Sequence, residues 1–182
     1  MLEKQLIDGL KHKDFKVFEE LVNTYQSMVV NLCYNMTGSH EDAEDLAQEV
    51  FIKVWEKASK FRGDSSLQTW IYRVAINTSL NFTRKRKFNT FFESIESIFE
   101  STGSLDNPQK QLESKEQENQ VQSAIQTLPE NQRIALTLKT FKDHSYAEIS
   151  EIMDISISSV ESLIFRAKKN LKKKLAKYYF TG

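Results

Sequence analysis

Apolar residues that return at every third or fourth position, with no strand-like alternation, set the strongest limit on what this chain can fold into. Leu6, Leu10, Phe18, Leu21, Val22, Tyr25, Val29, Leu32, Cys33 and Met36 keep that spacing through the first stretch, broken near His12 to Asp14. The spacing lines apolar side chains along one stripe of an α-helix, whereas a half-buried strand needs strict alternation. Only five Gly and two Pro punctuate the 182 residues. The chain therefore reads as all-α, and its length suits one large domain or two small ones.

Charge is balanced in sum and segregated along the chain. Lys and Arg number 25, as do Asp and Glu, and a zero net charge argues at first against nucleic acid, where affinity rests on neutralised phosphates. Residues 1–50, however, hold four cations against ten acids, 51–90 nine against two, 91–119 two against seven, and 120–182 ten against six. Two basic blocks alternating with two acidic ones fit two nucleic-acid surfaces, one surface for a basic protein, and an acidic connector. The single cysteine, Cys33, has no disulfide partner and reads as a buried thiol of a protein in a reducing, cytoplasmic compartment. No apolar run approaches the roughly 18 residues needed to span a bilayer, and MLEKQLIDGL lacks a signal-peptide core.

After the helix stop and turn at Gly38 to His40, the stretch Asp42 to Trp55, DAEDLAQEVFIKVW, has two opposed faces. Ala43, Leu46, Val50 and Val54 make the core stripe, and Asp42 is expected to start the helix, where acids suit the dipole. Asp45, Gln48, Glu49 and Ile52 make a second, projecting stripe of two carboxylates, an amide and an aliphatic group. On helix physics this is either a solvated acidic face or a surface that docks a basic helical partner.

DAEDLAQEVFIKVW resembles the core-polymerase-binding helix of bacterial RNA polymerase sigma factors of the extracytoplasmic-function (ECF) group. The resemblance implies that Asp45, Gln48 and Glu49 contact the clamp helices of the polymerase largest subunit, with Ile52 on the same stripe.

The polar segment Phe61 to Gln68, FRGDSSLQ, reads as a loop, with a helix starting near Thr69. In that helix Ile71, Val74, Ala75, Thr78 and Phe82 make one face, and Trp70, Arg73, Asn77, Asn81 and Arg84 make another. The second face combines an aromatic plate, cations and amides, the groups that stack on bases, hold phosphates and read base edges. A core role for Trp70 and a filler role for the Asn residues stand equally open. TWIYRVAINTSLNFTRKRK is also similar to the family's promoter-melting and minus-ten-recognition helix, matched at Trp70, Tyr72, Arg73, Ala75 and Asn77. That likeness implies capture of a flipped base by this helix and the loop from Phe61, with Arg84, Lys85, Arg86 and Lys87 anchoring the backbone.

From Phe88 to Asn119 the composition turns to Ser, Glu and Gln, with a turn at Leu105-Asp106-Asn107-Pro108. This divides the chain into residues 1–88, a flexible acidic linker at 89–119, and 120–182. Phe92, Ile95, Ile98 and Phe99 suit either a short amphipathic helix or a linker with apolar patches. The family resemblance implies that the connector threads the polymerase toward the RNA exit path.

Pro108 is expected to open a helix through Leu112, Val121, Ala124, Ile125 and Leu128; Pro129 ends it and starts another through Ile134, Leu136, Leu138 and Phe141. Two capping boxes follow, Ser145-Tyr-Ala-Glu148 and Ser158-Ser-Val-Glu161, each pairing a hydroxyl N-cap with a Glu three residues on. Two short capped helices with Asp154 at the turn form a helix-turn-helix, since Asp tolerates the left-handed backbone required there. Val160, Ile164, Ala167, Leu171 and Leu175 make the buried stripe of the last helix, and Ser159, Ser162, Phe165, Arg166 and Lys169 its exposed face. From Ser162 onward there are seven Lys or Arg and no acid, which suits phosphates. SYAEISEIMDISISSVESLIFRAKKNL resembles the family's minus-thirty-five-binding domain, so Ser158, Ser159, Glu161, Ser162, Phe165, Arg166 and Lys169 are the implied readers. Glu161 stands where relatives commonly carry a cation. It is expected to serve the cap of Ser158, the other reading being a base contact to a cytosine amino group.

Three histidines are scattered, no Cys/His metal spacing occurs, and no Gly-rich phosphate loop is found. The expected protein is a sigma factor without catalysis or cofactor of its own, which works with core RNA polymerase and promoter DNA and has an anti-sigma factor as partner. A stand-alone helix-turn-helix regulator explains only the last third, and a helical adaptor explains neither the helix pair nor the basic blocks.

Overall fold

A computed structural model of the chain describes residues 3–99, 113–142 and 144–179, and among them every regular element is a helix. The expected break near His12 falls between α1 (Glu3–Lys11) and α2 (Phe15–Thr37). Lys13 takes a left-handed backbone at φ 59°, and the Asp14 carboxylate accepts from the Lys16 N–H at 2.9 Å, capping α2. Gly38, at φ 78°, ends α2 with its N–H on the Tyr34 carbonyl at 2.7 Å. The next helix, α3 (His40–Lys57), begins earlier than the expected Asp42, because the Ser39 hydroxyl accepts from the Asp42 N–H at 3.2 Å and is the cap.

A short 3-10 turn (Ala58–Lys60) leads through the loop to α4 (Leu67–Phe99). This helix also starts before its expected residue, Thr69. The Ser66 hydroxyl accepts from the Thr69 N–H at 3.0 Å, while the Glu3 carboxylate takes the Leu67 N–H at 2.6 Å and ties α1 to α4. Leu21, Val29, Met36, Ala43, Val50, Val54, Ile71 and Ala75 are fully buried between α2, α3 and α4, each large aliphatic side chain contributing about 1.5 to 3 kcal/mol of burial. Cys33 lies in this core, where burial pushes its thiol up to about 11 despite the Ser79 hydroxyl beside it.

Helix α4 continues to Phe99, and the chain is next described in α5 (Glu113–Gln126), α6 (Glu130–Lys142), α7 (Tyr146–Met153) and α8 (Ile157–Tyr179). The turn at Leu105 to Pro108 and the helix start at Pro108 lie outside the described residues. These later helices form the second domain, and it rests on the first. Ile134, Leu138, Ile149, Ile152, Val160 and Ile164 belong to the same buried cluster as the α2–α4 core. Gln122 and Gln126 of α5 donate to the Tyr34 and Asn35 carbonyls at 3.1 and 2.9 Å, in the last turn of α2, the Tyr34 oxygen being shared with the Gly38 N–H.

Gly38 sits where both demands meet. An alanine there keeps a left-handed φ, costing about 1 kcal/mol or more, and its Cβ would stand 3.2 Å from Gln126 Cγ. Gly38→Ala is expected to lower unfolding stability by about 1 to 2 kcal/mol. Urea denaturation checks this, an unchanged midpoint being the contrary result.

Candidate nucleic-acid interface

Helix α3 is fixed by its apolar stripe, so its opposite face is presented outward. Asp45, Gln48, Glu49 and Ile52 are all exposed, and Ile52, at 55 % exposure, is one of the few large apolar side chains left open among the described residues. Glu49 forms an ion pair with Lys53, whose ammonium also reaches the Thr78 hydroxyl of α4 at 3.3 Å.

On α4 the residues singled out in the sequence divide. Ile71, Ala75 and Thr78 are buried and Val74 and Phe82 are half-buried, as their stripe required. Trp70 is half-buried, packed on the core cluster, with its ring 5.0 Å from that of Phe61 and tilted by 41°. Phe61 itself is 7 % exposed, so it supports the Trp70 ring from beneath. Asn77, Asn81, Arg84, Lys85, Arg86 and Lys87 are exposed, and Arg73 is partly so.

Several of these cations already hold oxygen acceptors of the same chain. Arg73 Nη2 donates to the Glu151 carbonyl at the end of α7 at 2.7 Å, Arg84 grips the Glu130 carboxylate of α6 at 2.9 and 3.4 Å, and Arg86 holds Asp42 of α3 at 2.7 Å. The Arg84 hydrogen bond, with its charge, holds the Glu130 carboxyl below the usual carboxylate range. Next to Glu130, Arg133 is buried and donates to the Gln126 carbonyl and side chain; desolvation lowers its guanidinium from the ordinary value. Glu130 and Glu151 were not singled out in the sequence, and Asp42 only as a helix start, not as the partner of Arg86. No local pattern pairs a carboxylate with a cation tens of residues away.

The helix-turn-helix forms from the local signals read at its start. Ser145 and Glu148 make the expected capping box: the carboxylate accepts from the Ser145 N–H at 2.7 Å and its hydroxyl at 2.8 Å. Those bonds hold the Glu148 carboxyl below its usual range. Asp154 takes the left-handed backbone at φ 55° between α7 and α8.

The second capping box does not form. Helix α8 begins at Ile157, and the Ser156 hydroxyl accepts from the Ser159 N–H at 3.2 Å, so Ser156 is the cap and Ser158 already lies inside the helix. Glu161 is thereby a full turn in, too far along to reach the N-cap amide, and it is exposed. Ser158, Ser159, Ser162, Phe165, Arg166 and Lys169 are exposed with it, and Phe165 is 69 % open. Val160, Ile164 and Ala167 are buried behind them. Loss of an N-cap hydroxyl costs about 1 kcal/mol. Ser156→Ala is therefore expected to lower stability by about that much, and Glu161→Gln to leave it unchanged. Urea melts of the two variants check the assignment, and the opposite ranking would return the capping box to Ser158 and Glu161.

The chain's likeness to known proteins follows the same division. Residues 21–89 match the Sigma-70 region 2 family and residues 118–171 the Sigma-70, region 4 family. The RNA polymerase sigma-H factor of Pseudomonas aeruginosa is 34% identical over 184 residues, covering 95% of this chain and 93% of that protein. The ECF RNA polymerase sigma-E factor of Escherichia coli is 36% identical over 182 residues, covering 96% and 95%. Among solved structures, CnrH in complex with the cytosolic domain of CnrY shares the fold at a TM-score of 0.71 and 18% identity, over 96% of this chain and 97% of that one. The sigma factor RpoE bound to the anti-sigma factor NepR from Bartonella quintana does so at 0.64 and 22%, over 88% and 97%.

Proposed function

This chain belongs to the extracytoplasmic-function group of sigma-70-type factors, which direct RNA polymerase to promoters, and on that premise we propose how its surfaces divide the work. Residues 1–88 bind core polymerase and the minus-ten strand, 89–119 link, and 120–182 bind the minus-thirty-five duplex. Asp45, Gln48, Glu49 and Ile52 dock onto a basic helical face of the core enzyme; an exposed apolar side chain flanked by acids suits such a partner. Trp70, propped on Phe61, stacks on an unpaired base beside Asn77 and Asn81. Arg73 and the Arg84 to Lys87 cluster take phosphates. Helix α8 enters the major groove with Ser158, Ser159, Glu161, Ser162, Phe165, Arg166 and Lys169 toward the DNA.

The single observation that carries this reading is the joint exposure of the acidic α3 stripe and the α8 face in one chain. The protein works in the cytoplasm beside the polymerase, does no bond-making chemistry of its own and needs no cofactor. Phosphodiester formation belongs to the polymerase. An anti-sigma factor is a further partner, supported by the related RpoE structure, a complex with the anti-sigma factor NepR. A stand-alone helix-turn-helix regulator leaves the region 2 match of residues 21–89 without a role.

Co-purification with core RNA polymerase followed by run-off transcription from candidate promoters tests the reading. Core binding with promoter-dependent transcripts is the expected result, and core binding without initiation would favour an adaptor.

A further inference from the structure

With Ser156 as the cap of α8, Glu161 is left without structural work. It stands exposed in the second turn of the helix, and among the described residues its carboxylate has no ion pair or side-chain hydrogen bond. Its helical neighbours three and four positions away are Ile157, Ser158, Ile164 and Phe165, none of them a cation. Ile157 and Phe165, at 48 % and 69 % exposure, are among the few large apolar side chains left open among the described residues. Two rows therefore run side by side along the exposed face. One is Ser158, Ser162 and Arg166, with Lys169 beyond, and its hydroxyls and cations can donate to phosphates and to purine N7 and O6. The other is Ile157, Glu161 and Phe165, and it holds no donor at all.

An acid set between two apolar groups restricts which base edges can lie against it. Every purine presents the N7 acceptor in the major groove, and guanine adds O6, so a carboxylate facing a purine meets like partial charge. Cytosine offers an amino donor with no acceptor beside it, and thymine offers a methyl group that suits an aliphatic or aromatic side chain. We propose that this row reads a pyrimidine tract on one strand of the minus-thirty-five duplex: Glu161 accepts from the amino group of a cytosine, and Ile157 and Phe165 cover the methyl groups of thymines on either side. The assignment rests on the reading of α8 as the major-groove helix. Four helical residues advance about 6 Å and one base step about 3.4 Å, so each thymine stands about two steps from the cytosine. The same carboxylate also discriminates by repulsion. Near phosphates its charge is unfavourable unless a donor meets it, so sites lacking the cytosine are rejected. Phosphate attraction comes from the exposed cations of the later turns, Arg166, Lys168, Lys169 and Lys172 to Lys174.

The test uses holoenzyme reconstituted from core RNA polymerase and the full chain, in a selection from promoters randomised across the minus-thirty-five element. The parent is expected to enrich a cytosine and to prefer it over the other bases at that position about tenfold or more. Glu161→Gln keeps the reach and shape but adds an amide donor, the group that pairs with adenine N6 and N7. It is expected to move the preference at that single position from cytosine to adenine and to leave the rest of the selected sequence as it was. The methyl contacts are probed by competition binding with deoxyuridine in place of each flanking thymine. Each replacement is expected to weaken the parent about three- to fourfold, an effect lost at one thymine in Ile157→Ala and at the other in Phe165→Ala. A selection that enriches no minus-thirty-five sequence would overturn the major-groove reading of α8 and this assignment with it. An enriched sequence without the cytosine, or a cytosine preference that survives Glu161→Gln, would overturn the Glu161 contact while leaving that reading in place. Uracil discrimination that persists in both alanine variants would overturn the methyl contacts.

Discussion

Exchanging Asp45 and Glu49 together for lysine is expected to weaken binding to core RNA polymerase about a hundredfold, at roughly 1.4 kcal/mol for each reversed charge. Both side chains are exposed and stand apart from the Ala43, Leu46, Val50 and Val54 stripe that holds α3 in the core. The exchange therefore removes attraction without removing packing. Lysine also forms helix about as readily as glutamate. One local cost is foreseeable, since a lysine at position 49 faces Lys53 in place of the present ion pair. An exposed pair of this kind contributes only about 0.3 to 0.5 kcal/mol, too little to unfold the domain. A fluorescence titration with core enzyme measures the loss, and circular dichroism of the same samples reports the fold. Affinity within twofold of the parent would remove the stripe from the interface.

Trp70→Ala is expected to act on stability and on promoter opening at once, because the ring has one buried side and one open side. Its contacts with Phe61 and the core cluster resemble half of a buried aromatic, so truncation should cost about 2 kcal/mol of unfolding stability. A domain with about 5 to 15 kcal/mol in hand remains folded after that loss. Any slowing of open-complex formation beyond a few per cent then belongs to the lost stacking surface. Stacking is worth about 1 to 3 kcal/mol per base, so a ten- to hundredfold slower opening is expected. Permanganate reactivity of the melted bases gives the rate and a urea melt gives the stability. A lower melt with an unchanged opening rate would make Trp70 a core residue and nothing more.

What could be read locally was read well where two signals agreed. The break at His12 to Asp14, the stop at Gly38, the Ser145 and Glu148 box and the left-handed Asp154 each depend on residues within one turn of each other, and each is present. Where several polar side chains lie near one helix start, the sequence could not choose. Helices α3 and α4 start ahead of the expected Asp42 and Thr69, with Ser39 and Ser66 as their caps, and Ser156 takes the place of Ser158 as the cap of α8. The choice depends on where the buried stripe must begin. For α8, Val160 at full burial sets the register, and the helix then extends backward until a hydroxyl meets a free N–H.

The sequence by itself determined the helices, the two-domain order and the surfaces that project from them, because apolar spacing and capping are local and each helix needs only its own residues to declare a face. The acidic stripe of α3 and the exposed side of α8 follow from that rule, and both are open. Only the tertiary structure decided that Phe61 lies beneath Trp70, that Arg84 meets Glu130, and that α7 delivers a carbonyl to Arg73. These contacts join residues nine to seventy-eight positions apart. Their partners are selected by how whole helices pack, since the sum of buried apolar area, and not any single pair, sets where one domain comes to rest on the other.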